Sequence, residues 1–179
     1  FHALFSYSFL LITLAKVNPL FFFTNMREAI LFAFSTSSSS ATMPVTLKTV
    51  EEKLGVDKSV SSFCIPLGTT INMDGTAIMQ GVATVFIAQV YQVDLSMLEY
   101  LMVIITATLA SIGTAGVPGV GLIMLAMVLQ QVGLPVEGIA LIIGVDRLLD
   151  MLRTAVNVSG DATISCIIAN SENQLIRKI

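Results

Sequence analysis

The chain has 179 residues, 55% hydrophobic and 12% charged, with a formal net charge of −3 and a mean hydropathy of +0.87. Soluble domains carry about 25% charged residues, so this composition excludes an ordinary soluble globule and points to an all-α membrane protein with the lipid bilayer as a partner. Long unbroken apolar runs exclude the short alternating segments of a β-barrel, and nothing in the charge pattern calls for nucleic acid.

Taken in chain order, residues 1–18 read as the end of a transmembrane helix. Residues 26–47 form a first hairpin. Its two short apolar arms flank Ser35-Thr36-Ser37-Ser38-Ser39-Ser40-Ala41-Thr42, too close to Pro44 and too apolar in setting for a flexible linker. Lys48, Lys53 and Lys58 then share a loop with Glu51, Glu52 and Asp57. Residues 63–91 are long enough to span but are interrupted by Asn72-Met73-Asp74-Gly75-Thr76, which predicts a break within one helix. Residues 97–131 form a second hairpin, turning at Gly113-Thr114-Ala115-Gly116-Val117-Pro118-Gly119-Val120-Gly121. Residues 139–168 are the last span.

The basic residues of the 48–58 loop, with Arg177 and Lys178 in the tail, put that loop and the C-terminus in the cytoplasm. The breaks near 91–99 and 131–138 hold no Lys or Arg and fall outside. A hairpin followed by a polar span therefore occurs twice, the first opening from inside and the second from outside. This is an inverted-topology repeat, and such paired interrupted segments point to a transporter's midplane site. Cys64 and Cys166 read as free thiols embedded in apolar segments.

Residues 146–161 carry most of the chemistry. At about 100° per residue, Asp150, Arg153, Thr154, Asn157 and Asp161 share one face of a helix otherwise made of Leu, Met, Ala and Val. In a membrane that face must turn to a protein interior, where it marks a substrate or ion path. Asp150 and Arg153 are spaced to pair with each other. They also fit an amino acid with an acidic side chain: Asp150 takes the ammonium, Arg153 takes a carboxylate in bidentate geometry, and Asn157 offers an amide to a second carboxylate. Asp161, one turn deeper, suits a cation. So do Asp74 and the unwound carbonyls beside it, which are hard oxygen ligands suited to Na⁺. Hydroxyls and free N–H groups at the serine tip can meet an anion. The glycines of the second tip permit a mobile gate. An intramembrane enzyme is disfavoured, because Ser39 has no recognisable general base and the sole histidine, His2, lies at the chain's end.

These motifs, in this order over about residues 26–165, resemble the dicarboxylate/amino acid:cation symporter family, which includes the glutamate transporters. The matching pieces are Ser37 through Pro44, Asn72 through Thr76, Ala110 through Gly119, and Asp150 through Asp161. The resemblance implies an elevator-type transporter that is trimeric when complete and multi-pass in the cell membrane. This chain would be a partial transport domain, with the scaffold domain upstream. It would import aspartate or glutamate with sodium as the co-transported ion.

Carried over by position, the resemblance implies a substrate set of Ser39, Thr76, Val117, Gly121, Asp150, Arg153, Thr154 and Asn157. The implied sodium set is Gly68, Thr70, Asn72, Asp74, Ser111, Thr114, Asn157 and Asp161. Departures from the family pattern narrow the choice. Gln80 stands where mammalian glutamate carriers have a Glu linked to proton coupling. Asp161 favours sodium over protons, Asp150 an amino acid over a C4-dicarboxylate, and Arg153 an acidic over a neutral side chain. Ser37 replaces an Arg that archaeal relatives place before the serines, leaving Arg147 of the last helix to supply that charge. The alternatives are a C4-dicarboxylate or neutral amino acid symporter, a proton-coupled glutamate symporter, or a channel.

Overall fold

Asn18 and Pro19 decide where the first helix ends and the second begins. Helix α1 (His2–Leu10) runs on through one π-helical turn, Leu11–Ala15, and stops where Lys16 turns left-handed at φ 54°. Asn18 then caps α2 (Pro19–Thr36) by accepting from the Leu20 and Phe21 amides, with Pro19 at the first helical position, where its missing N–H costs nothing. The two stretches meet at 118°. The first hairpin's leading arm thus begins at Pro19 rather than near residue 26, because the cap and proline start the helix a full two turns earlier.

The computed structural model describes residues 1–176. Helix α3 (Ser39–Glu52) follows α2 after two residues. Asp57 caps α4 (Lys58–Ile71), which gives way at Asn72 and Met73 to α5 (Asp74–Val90). The break is therefore two residues long. Asp74, Gly75 and Thr76, expected within it, form the first turn of α5. Helix α6 (Met97–Ile112) opens with a Ser96–Glu99 capping box. A seven-residue turn leads to α7 (Val120–Gln131), and a short 3₁₀ turn, Val136–Ile139, feeds α8 (Ala140–Ser171). Among the described residues there is no strand, only an isolated bridge between Val56 and Leu175.

Helix α8 is 32 residues long, about 48 Å at 1.5 Å per residue, and it organises the rest. Its C-terminal half packs Val158, Ala162, Cys166 and Ala169 into a core with the π-helical turn and α2 through α4. Its N-terminal half packs Ile142 and Leu149 into a second core with α5, α6 and α7. The polar stretch of α8 lies at the seam between these cores. The first hairpin (α2–α3) opens from the end where α8 finishes: Asn170 donates to the Leu14 carbonyl at 2.9 Å, and the backbone of Gly55 and Asp57 bonds with that of Ile176 and Gln174. The second hairpin (α6–α7) opens from the end where α8 begins, and the two tips meet between. Lys48, Glu51 and Glu52, expected in a loop, belong to α3 and Lys58 opens α4, so the loop is 53–57; it and the chain from 174 to 176 lie on one side of the molecule, while Arg177 and Lys178, part of the charge argument, fall outside the described residues.

Beside its two apolar cores the interior holds many polar side chains, and the surface is rich in large apolar ones. Thr42, Thr46, Ser61, Gln80, Thr84, Thr163 and Ser165 are fully buried, while Phe5, Phe9, Leu31, Phe63, Val82, Ile104, Leu109 and Ile123 are exposed. Among the described residues no single helix is long and apolar enough to cross a membrane, though α1 with its π turn and α2 meet that measure as a bent pair. Helix α8 has the length but carries Asp146, Arg147, Asp150, Arg153 and Asp161. The two halves of the expected repeat also differ: α4–α5 is broken, whereas α8 is continuous. Cys64 and Cys166 are free and buried.

Candidate functional site

Helical periodicity builds the site. Asp146, Asp150, Arg153, Thr154, Asn157 and Asp161 recur at three- and four-residue spacing along α8 and are all buried. Around them one cleft is lined by Ser37 and Ser39 of the first tip, Met73 and Thr76 of the α4–α5 break, Thr114 through Val117 of the second tip, Gly121 of α7, and Asp150, Arg153, Thr154 and Asn157. All eight residues of the expected substrate set line it. The free volume is about 10 Å³, on the order of one water molecule, so an amino acid enters only if a wall moves.

The cleft's charges are paired internally. Arg153 Nη2 lies 3.0 Å from Asp150 Oδ1 and 3.8 Å from Asp146 Oδ1, and its Nε donates to Asp150 at 3.2 Å. Thr154 also donates to Asp150 Oδ1, and the Gly119 amide donates to Asp150 Oδ2 at 3.0 Å. One carboxylate thereby ties the second tip to α8. The guanidinium lies against Gly121: a Cβ there would fall on Nη1 and sit 2.7 Å from Cζ, so only glycine leaves Arg153 this position. Arg153 Nη1 and Asp146 Oδ1 are buried without a hydrogen bond among the described residues. Asn157 holds the break, accepting from the Gly75 amide at 2.8 Å and donating to Met73 Sδ and Thr76 Oγ1.

The expected sodium set divides. Asp161 is 2% exposed, accepts from Asn72 Nδ2 at 2.8 Å, and lies against Gly68, where an added Cβ would strike its carboxylate. Its Oδ2 has no hydrogen-bond partner among the described residues. Gly68, Asn72 and Asp161 are therefore together, with Asn157 one turn away on α8. Asp74 turns instead to α1, where Tyr7 donates to it at 2.9 Å and His2 Nε2 lies at 3.1 Å. Thr70 is exposed and bonds the Leu67 carbonyl. Ser111 and Thr114 bond the carbonyls of Thr108 and Ala110, and of these two only Thr114 reaches the cleft. Arg147 is exposed on α8, so it supplies no charge to the first tip within the site.

Several participants lay outside the expected substrate and sodium sets. Asp146 sits seven residues before Arg153, two helical turns and hence on the same face, a signal present in the spacing. Tyr7 and His2 had none, because their partner Asp74 lies 67 and 72 residues away. Ala115 and Gly116 belonged to the recognised second tip without being singled out, and Ser37 was noted only as the position of a missing Arg.

The fold and site define a helical protein in which two hairpin tips and a broken helix close over a buried, charged cleft. Residues 1–171 match the model of the sodium:dicarboxylate symporter family, and the chain belongs to that family. It is 49% identical over 90% of its length to an excitatory amino acid transporter of Caenorhabditis elegans, covering 32% of that protein. It is 52% identical to excitatory amino acid transporter 3 of Mus musculus and 48% to excitatory amino acid transporter 1 of Rattus norvegicus, covering 90% of this chain and 31% and 30% of theirs. The chain thus spans about a third of the length of these curated relatives.

Proposed function

We propose that this chain is the substrate-carrying part of a secondary symporter that imports aspartate or glutamate, driven by the sodium gradient. The observation that carries the reading is the buried Asp150–Arg153 pair facing both hairpin tips across one cleft. An acidic amino acid would exchange that internal pair for two external ones. Its ammonium would take Asp150, and its side-chain carboxylate would take Arg153 through the unpartnered Nη1 and its neighbour. Because both charges are already desolvated, much of the cost of a buried ion pair is met before substrate arrives. Thr76, Thr154, Asn157, Ser39, Val117 and Gly121 complete the walls.

Sodium would be held near Asp161, Asn72, Gly68 and Asn157. A buried carboxylate with a free oxygen is costly until a cation meets it. Asp74, Thr70, Ser111 and Thr114 would join further sodium sites when the tips and break rearrange. The extensive exposed apolar surface, with a polar cleft buried between the cores, supports a multi-pass position in the cell membrane, with both hairpins re-entrant and the C-terminus on the cytoplasmic side. The complete protein would be a homotrimer whose transport domain moves past a fixed scaffold.

The test is uptake of labelled aspartate by the complete protein in liposomes. Saturable uptake driven by an inward sodium gradient, competed by glutamate but not by succinate or serine, is the expected result. Uptake driven by a proton gradient alone, or competed equally by succinate, contradicts the reading.

A further inference from the structure

Besides the Gly119–Asp150 bond, the second tip is held at one further atom. The Gly116 carbonyl oxygen accepts from Ser38 Oγ at 2.8 Å and from the Ser40 amide at 3.1 Å. Both donors belong to the N-terminus of α3: Ser38 is its cap, accepting from the Ala41 amide, and Ser40 is its second residue. A helix N-terminus has unsatisfied N–H groups and a partial positive charge, and here one of those amides and the cap hydroxyl converge on a carbonyl from the facing hairpin. The contact is buried, with Ser38 7% exposed and Gly116 buried. It is also close: a Cβ on Gly116 would lie 2.9 Å from the Thr69 carbonyl oxygen and 3.0 Å from Ser40 Oγ. By contrast, Ala115 and Val117 on either side are exposed.

We infer that Ser38 is a positioning residue whose hydroxyl latches the second tip over the substrate, acting through the Gly116 carbonyl rather than touching substrate itself. This rests on the proposed transport function and on the second tip being its gate. Lifting Ala115 through Val117 off the cleft must break both bonds to Gly116, whereas the bonds within the first tip can stay. The Ser38 hydroxyl therefore sets how long the closed tip holds, separately from the affinity of the substrate groups.

The experiment uses the complete protein with its native cysteines replaced and a single cysteine at Val117, in liposomes, with an impermeant thiol reagent outside. In the parent, saturating sodium and aspartate should protect this cysteine. Ser38→Ala should label roughly three- to tenfold faster under the same conditions, the effect of losing one hydrogen bond. Ser38→Asp keeps the cap acceptor but cannot donate, so it should label like Ser38→Ala; Ser38→Thr should restore protection. Gly116→Ala, with Ser38 intact, should also label faster. Full protection in Ser38→Asp and Gly116→Ala overturns the latch while leaving the gate standing. Equal labelling of the parent with and without sodium and aspartate overturns the gate, and the latch with it.

Discussion

The two hairpin tips meet at one place and are built in opposite ways. The first is two residues long, Ser37 and Ser38, and is shaped mainly by hydrogen bonds to its own residues and the helix ends beside it. Thr42 Oγ1 donates to the Ser38 carbonyl at 2.7 Å, Ser38 Oγ accepts from the Ala41 amide, and Thr36 Oγ1 bonds the Phe32 carbonyl and the Ser38 amide. The second is seven residues long, begins α7 at Gly119 without a side-chain cap, and draws its anchors from elsewhere. Gly119 donates to Asp150 and Gly116 accepts from Ser38 and Ser40. A tip whose polar groups are met locally keeps its shape when its neighbours move. A tip whose polar groups are met across the molecule can leave only if those bonds break, and can return to the same seat. In the proposed function the serine tip is the wall and the glycine tip the door, and Asp150 serves both the door and the cleft.

The largest effect should come where the door, the cleft and the charge coincide. Arg153→Cys removes the guanidinium and leaves Asp150 and Asp146 without their cation, so affinity for acidic substrates in the complete protein should fall by about 2–5 kcal/mol. Competition binding with aspartate and serine measures it. Unchanged aspartate affinity would break the assignment of Arg153 to the substrate carboxylate.

A smaller pair of substitutions sharpens the contrast between tips. Gly119 has φ 82° and Ser37 has φ 52°, both in the region that L side chains disfavour. Gly119→Ala should weaken closure of the second tip by about 1–2 kcal/mol, roughly five- to thirtyfold in aspartate affinity. Ser37→Gly should stabilise the first by about 0.5–1 kcal/mol, read as a rise in melting temperature, since Ser37 Oγ makes no hydrogen bond among the described residues. Shifts of the same sign in both would mean that the tips are not differently built.

The smallest effect lies at the base of the first hairpin. Asp57 is held below the usual carboxylate range because the Ser59 hydroxyl and then the Ser59 amide donate to it. A depressed folded value means that the cap's contribution is fully present at neutral pH and is lost as pH falls through that value. Exchange protection of the Ser59 amide should therefore survive from pH 7 to about 5 and fall only below about 4. Asp57→Asn should remove that pH dependence. Loss of protection already between pH 7 and 5 would contradict the cap.

The sequence disclosed what periodicity and residue type control. The buried face of α8 followed from a 3.6-residue repeat, and the tips followed from small residues between apolar arms. Contacts between distant elements were hidden. The turn of Asp74 toward Tyr7 and His2 depends on α1 packing on α8 beside the start of α5, and the Ser38–Gly116 contact on the two hairpins meeting end to end. The break at 72–73 looked longer because Asp74, Gly75 and Thr76 are poor helix formers in isolation. In the fold, Asn157 accepts the Gly75 amide, one of the free N–H groups of the new helix, and tertiary contact overrides propensity.

The most direct measurement is the sodium dependence of aspartate affinity in the complete protein and in its Asp161→Asn variant, at neutral pH. If the buried Asp161 carboxylate binds sodium in concert with the substrate cleft, affinity in the parent rises steeply with sodium, because linked sites must strengthen each other, and the variant's curve is flatter. Aspartate binding independent of sodium in the parent, or a dependence unchanged in Asp161→Asn, would contradict it.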